Sequence, residues 1–129
     1  CASDSVEAVT DGVVPEKSCA DVPRFSWWNR KGGSEWLQMD FPSSVAVFKA
    51  RVYWFADRPT GGGCALPRSW RLLYKDGAAW RPVEPASEYG VAPDRFNDVT
   101  FKRVNTTALR IEALLQPDWS AGVQEWQVE

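Results

Sequence analysis

A chain of 129 residues and 14.5 kDa is sized for one domain spanning 1–129, and folding should bury about two-thirds of the surface exposed when unfolded. Its 15 basic and 17 acidic residues leave a net charge of −2, which argues against binding nucleic acid by phosphate neutralisation, and its apolar runs are too short to cross a bilayer. Histidine is absent, which excludes His triads, His general bases and His metal sites, whereas 8 tryptophans are more than a core of this size needs.

The chain starts abruptly at Cys1 without signal-peptide character, as a fragment cut from a longer protein would. Cys1, Cys19 and Cys64 are widely spaced and form no CxxC pair, so zinc is disfavoured. One disulfide with a free thiol and three free thiols both stay open. Helical periodicity is scarce, and what repeats is strand-like alternation. Residues 36–41 read as a short strand. In 45–55, Phe48, Ala50, Val52 and Trp54 share one face, with Lys49, Arg51 and Tyr53 on the other. In 69–75, Trp70, Leu72 and Tyr74 fall together, and Asp76-Gly77 signals a hairpin into 79–83. After 98–102, residues 107–115 turn Leu109, Ile111, Ala113 and Leu115 inward, and 122–129 closes the chain. Seven or eight short strands with Pro- and Gly-rich connections predict an all-β, antiparallel sandwich or barrel.

Alternate loops of such a sandwich emerge at the same end. Connections 42–44, 76–78 and 103–106 are short and free of aromatics. Connections 21–35, 56–68, 84–97 and 116–121 are longer and hold Phe25, Trp27, Trp28, Tyr89, Phe96 and Trp119. They also hold Arg24, Arg30, Lys31, Asp57, Arg58, Asp94 and Arg95. Aromatic faces stack on the apolar faces of sugar rings, and planar polar groups bond their hydroxyls. The segment 24–31 (RFSWWNRK) interleaves both kinds of residue, and adjacent residues of extended chain point opposite ways, so one of Trp27 and Trp28 should be buried. Trp119 sits on a turn between Pro117 and Gly122. The triple glycine of 56–68 lacks the Lys-Ser/Thr and the helix of a phosphate loop and reads as a tight turn beside the site. Asp57, Asp94 and Asp118 are not paired as glycosidase chemistry requires, and no His is present to activate a cysteine, so the chain is not expected to be an enzyme.

These stretches in sequence resemble a coagulation factor 5/8 type C (discoidin-like) domain of the group that includes carbohydrate-binding module family 32. The resemblance is carried by Asp11-Gly12, by Glu35 to Phe41 (EWLQMDF), by Ser69 to Tyr74 with Asp76-Gly77 and Trp80, by Ala108 to Glu112, and by Ser120 to Trp126 (SAGVQEW). The stretches WWNRKGGSEWLQMDF, VYWFADRPTGGGC and PRSWRLLYKDG further resemble domains appended to bacterial glycoside hydrolases, β-L-arabinofuranosidases among them. The resemblance implies an eight-stranded jelly roll with a non-catalytic, enzyme-tethering role. It also implies a structural Ca2+ near the N-terminus and the last strand, where Asp11 and Glu125 match. Trp119 occupies a loop that often supplies an aromatic in sugar-binding members. The missing His departs from the galactose-binding pattern.

The expectation is a secreted, cell-surface or periplasmic module, monomeric when isolated, that binds oligo- or polysaccharide. Trp119 and one of Trp27 or Trp28 form the stacking platform, and Arg24, Arg30, Asp57 and Arg95 are the hydrogen-bonding candidates. The glycan would be an arabinose-, xylose- or galactose-containing plant polysaccharide, and the partner a parent glycoside hydrolase in the same chain. No nucleic acid or membrane partner is expected. The alternative is an accessory domain whose exposed indoles pack on the parent enzyme without binding glycan. A lipid-binding discoidin role is disfavoured by the net acidity.

Overall fold

The computed structural model describes Thr10, Gly12, Pro15, residues 17–20 and residues 24–129. Among these, 6 strands follow in order: β1 (Phe25–Ser26), β2 (Ser34–Phe55), β3 (Ser69–Asp76), β4 (Ala79–Pro82), β5 (Phe96–Leu114) and β6 (Gly122–Val128). All strand-to-strand ladders are antiparallel, in the order β1-β6-β2-β5-β3-β4. β2 has 22 residues and β5 has 19, and each serves both layers of a sandwich. The first half of β2 pairs Ser34–Asp40 with Leu114–Ala108, next to β3 and β4. Its second half pairs with the start of β5 on one side and with β6 on the other. Counting each half as a strand recovers the eight-stranded sandwich expected from the sequence.

The corner lies at 41–44, where a short connection over 42–44 was expected. The β2–β5 register shifts between Asp40 and Val45, so Pro42, which has no N–H to give, falls where the ladder is interrupted. The two layers meet through Trp54 and Trp70, packed edge-to-face at 5.4 Å between ring centres although their strands are not neighbours. Leu37, Val52, Leu72, Val99, Leu109, Ile111, Val123 and Trp126 fill the space around them. A second register shift, between Val47 and Lys49, corrects the reading of Phe48: Val47 turns inward and Phe48 is exposed.

Each pole is sealed differently. At one, Thr106 Oγ1 accepts from Lys75 N–H at 3.1 Å and lies 2.8 Å from the Lys75 carbonyl oxygen, closing the corner against the β3–β4 hairpin. Gly77 makes that hairpin's turn with φ +62°. At the other pole the long loops are tied together. Trp27 N–H donates to the Ala121 carbonyl at 2.9 Å, Gly32 N–H to Gln116 at 2.9 Å and Ala65 N–H to Ser120 at 2.8 Å. Ser18 joins the rest: its carbonyl accepts from Ala56 N–H at 2.9 Å, its N–H donates to Asp94 Oδ1 at 2.7 Å, and its Oγ accepts from Asp94 N–H at 2.8 Å. This reciprocal clamp holds Asp94 at φ 61°, a conformation that costs most residues strain.

Candidate functional site

The pole that gathers 27–33, 56–68, 84–97 and 115–121 carries most of the candidate residues. Trp27 and Trp28 diverge as alternation requires. Trp27 is 6% exposed; its ring packs edge-to-face on Phe25 at 5.4 Å, and its Nε1 donates to the Trp36 carbonyl at 3.2 Å. It is buried with the core and only borders the depression between Trp28 and Trp36, so of the two adjacent indoles Trp28 is the exposed one. Trp28, on the turn between β1 and β2, is 60% exposed. Its six-membered ring rests on the backbone of Gly63: a Cβ there would strike Cζ3 and lie 2.7 Å from Cε3 and Cη2. The glycine run of 61–63 is thus a seat for the indole. The same run receives Asp57, because a Cβ on Gly62 would strike that carboxyl group. Asp57 Oδ1 accepts from Cys64 N–H at 2.9 Å and its carbonyl from Gly62 N–H at 2.9 Å, so the acid shapes the loop it lines.

Trp28 divides two depressions. One, of about 380 Å³, is bordered by Arg24, Ser26, Phe55, Asp57 and the glycine run. The other, of about 320 Å³, is bordered by Phe25, Ser26, Arg30, Glu35 and Trp36. Arg24 lies flat over Phe55, 4.2 Å from its ring centre. Arg30 pairs with Glu35 at 3.0 Å, which fixes two hydrogen-bonding groups beside the indole.

Trp119 and Arg95 stand apart from this group. Trp119 is half-buried, with the Arg58 guanidinium over its ring at 4.1 Å. Among the described residues it borders neither depression beside Trp28, so Trp119 and Trp28 do not share one platform. Arg58 in turn lines a separate cleft of about 720 Å³ with Lys17, Leu66, Pro93 and Asp94. Arg95 lines another separate hollow with Arg51, Glu88 and Tyr53. There, burial raises the Tyr53 phenol above its ordinary value, and the Asp94 charge adds to it. Tyr89, another loop aromatic, faces inward; its ring packs on Trp70 at 4.9 Å and its hydroxyl accepts from Leu72 N–H at 3.2 Å.

Trp36 was read only as a strand residue. It is 53% exposed, with Arg110 stacked 4.1 Å from its ring, and Arg110 also lies 4.0 Å from Trp80. The period-2 pattern contained the signal: Leu37 points inward, so Trp36 must point out.

Of the proposed metal ligands, Asp11 lies outside the described residues. Glu125 is 1% exposed on β6, opposite Tyr53. The register shifts beside it, between Tyr53 and Trp54, and the neighbouring Gln124 is fully buried. Gln124 Nε2 donates to the Ala20 carbonyl at 3.1 Å, while its Oε1 has no partner among the described residues. Among the described residues no cluster of three or more acidic or cysteine side chains that could hold a metal is found; the Glu125 carboxylate and the Gln124 amide oxygen are oxygen donors of the kind a hard cation such as Ca2+ takes. Cys19 is a free thiol, Cys64 is buried, and Cys1 lies outside the described residues.

No protein-family model matches the chain. Solved structures do. A structure of the Streptococcus pneumoniae beta-galactosidase BgaA superposes with a TM-score of 0.79 at 19% identity, covering 99% of this chain and 86% of that one. Chitosan-binding module 1 of a chitosanase/glucanase from Paenibacillus sp. IK-5 gives 0.70 at 16% identity, covering 100% and 87%. The family 32 carbohydrate-binding module of AlyQ, in complex with 4,5-unsaturated mannuronic acid, gives 0.67 at 15% identity, covering 96% and 84%. The chain therefore has the discoidin-like β-sandwich fold of carbohydrate-binding modules found in glycoside hydrolases.

Proposed function

We propose that the chain is a non-catalytic carbohydrate-binding module, one domain over 1–129, that attaches a parent glycoside hydrolase to glycan. The observation that carries this reading is Trp28: an indole 60% exposed, seated on Gly63 and flanked on both sides by depressions holding charged groups. An exposed aromatic face with Arg24 and Asp57 on one side and the Arg30–Glu35 pair on the other meets the two demands of a sugar ring, apolar stacking and directional hydrogen bonding. The fold shared with chitosan- and mannuronate-binding modules supports the same class of ligand. Plant cell-wall glycans containing arabinose, xylose or galactose are the proposed targets, met outside the cell by a secreted or surface-held enzyme. With so few contacts, binding should be weak, roughly high micromolar to millimolar.

The test is affinity electrophoresis through gels containing arabinan, arabinoxylan or galactan, with wild type, Trp28→Ala and Trp119→Ala. Retardation lost in Trp28→Ala and kept in Trp119→Ala is expected. No retardation of wild type in any gel would overturn the reading in favour of an accessory domain that packs on its enzyme. Ca2+ is proposed as a structural ion held by Glu125 and Gln124 with donors near the N-terminus. When bound it would supply positive charge to a buried carboxylate. Chelation should then lower the melting temperature and added Ca2+ restore it; an unchanged midpoint overturns the assignment.

A further inference from the structure

The two most exposed indoles, Trp28 and Trp36, border one depression. That depression continues both ways. Past Trp28, through the shared Ser26, lies the hollow of Arg24 and Asp57. Past Trp36, through the shared Phe25, lies a third hollow of about 450 Å³ reaching Gln38 and Asp40. Volumes of about 320–450 Å³ place each at the low end of small-ligand sites. Joined, they form a furrow along the sandwich's side, where the edge strand β1 meets the first half of β2. Along it, polar and aromatic groups alternate: Arg24 and Asp57, Trp28, Arg30 and Glu35, Trp36, then Gln38 and Asp40.

We infer that the ligand is an internal stretch of a linear glycan, laid along this furrow with successive sugars against Trp28 and Trp36, and not a single terminal sugar. This rests on the carbohydrate-binding reading above. Trp36 is fixed in place like Trp28. Arg110 stacks 4.1 Å from its ring centre while the side chain stays 53% exposed, and Arg110 is itself held by Trp80 and by its Nε bond to Gln38 Oε1 at 2.9 Å. Gln38 Nε2 then donates to Asp40 Oδ1 at 2.7 Å, which orients the polar end of the furrow. Indoles fixed before binding lose little entropy on stacking. A ligand held only in the hollow of Arg24 and Asp57 would leave Trp36 uncontacted.

The experiment is titration calorimetry with arabino-, xylo- and galacto-oligosaccharides of increasing length, from one unit to about six. For the series that binds, affinity should rise with length and then level off. Trp36→Ala should remove about tenfold of affinity for the longest oligomers and leave that for the shortest ones unchanged. Trp28→Ala should weaken every length. Fluorotryptophan NMR of the wild type supplies a second readout that does not depend on a variant: short oligomers should shift the Trp28 resonance, and long ones Trp36 as well. If Trp28→Ala loses binding while Trp36→Ala and the Trp36 resonance respond to no length, the furrow falls and the loop site stands. If no oligosaccharide binds, both readings fall.

Discussion

Replacing Gly63 by alanine tests the site without touching the side chain that is supposed to act. Gly63 has ordinary negative-φ backbone, so alanine is conformationally allowed. The added methyl carbon would lie 2.7 Å from Trp28 Cε3 and Cη2 and strike Cζ3. Carbon atoms rest about 3.5–4.0 Å apart, so the ring must retreat by at least ~1 Å. Trp28 is largely exposed, so retreat costs little packing, and restricting the unfolded chain returns about 0.4–1 kcal/mol. The Gly63 carbonyl, which accepts from Ser120 N–H at 3.1 Å, is retained. Stability should therefore stay within about 1 kcal/mol, a melting shift of roughly 3 °C or less. Binding should fall by about tenfold, because an indole displaced this far no longer lies parallel to the sugar between the two depressions. Calorimetric titration with the best-binding oligosaccharide and thermal melting on the same sample check both halves. Unchanged affinity in Gly63→Ala would refute the claim that the seated indole is the stacking surface, and a large loss of stability would make Gly63 a structural glycine.

Other substitutions separate core from site. Trp27→Ala should cost about 3–5 kcal/mol in urea unfolding, since it empties a buried indole position; a loss below ~1 kcal/mol would return Trp27 to the surface. Thr106→Val keeps the shape but leaves the Lys75 N–H that now bonds to Thr106 Oγ1 without its partner, at a cost of about 1–3 kcal/mol. Because Thr106 seals the opposite pole, its glycan affinity should equal that of wild type. Burial raises the Tyr89 phenol, an effect that the Leu72 N–H bond and the Arg71 charge oppose, and burial raises Tyr53 as well. The folded chain therefore holds these protons more tightly than the unfolded one. The stability they contribute is intact below the unfolded value, about 10, and is lost as pH rises through it towards the folded values. Urea melts from about pH 8 to 11 should fall less steeply in Tyr89→Phe than in wild type; equal slopes would refute the assignment.

Much of the fold was legible because alternation in 45–55, 69–75 and 107–115 marks which side chains meet the core, and Leu72, Leu109, Ile111 and Val52 are where the period puts them. The corners were not. Pro42 and its serines look like a hairpin turn, yet the chain stays extended because β5 pairs on both sides of the interruption. Phe48 shows the same limit on a smaller scale: one bulge reverses the phase of everything before it, and a bulge is set by the partner strand. Nothing in residues 45–49 encodes it.

Of the candidate site, the gathering of the loops at one pole and the exposure of one of the two adjacent indoles were legible. Loop parity placed the aromatic connections at one pole, and the hydrogen bonds of Ser18, Ala65 and Trp27 tie those loops together there. Parity cannot say which aromatic is spent on closing the sandwich. Trp27 and Tyr89 go inward to cover the ends of β2 and β3, while Trp119 is held under Arg58. Position on a loop was therefore a poor guide to exposure, whereas alternation on a strand was a good one, with Leu37 turned in and Trp36 turned out. Trp36 sits in the first half of β2, yet it is as open as a loop residue because that half of β2 forms one edge of its layer. An outward indole at a sheet edge is conspicuous only once the neighbouring edge is known. Phe25 of β1 supplies that edge, and with it the floor that connects Trp36 to Trp28. The proposed furrow runs between two strands, β1 and β2, that do not pair with each other, which is why the residue pattern of neither strand reveals it.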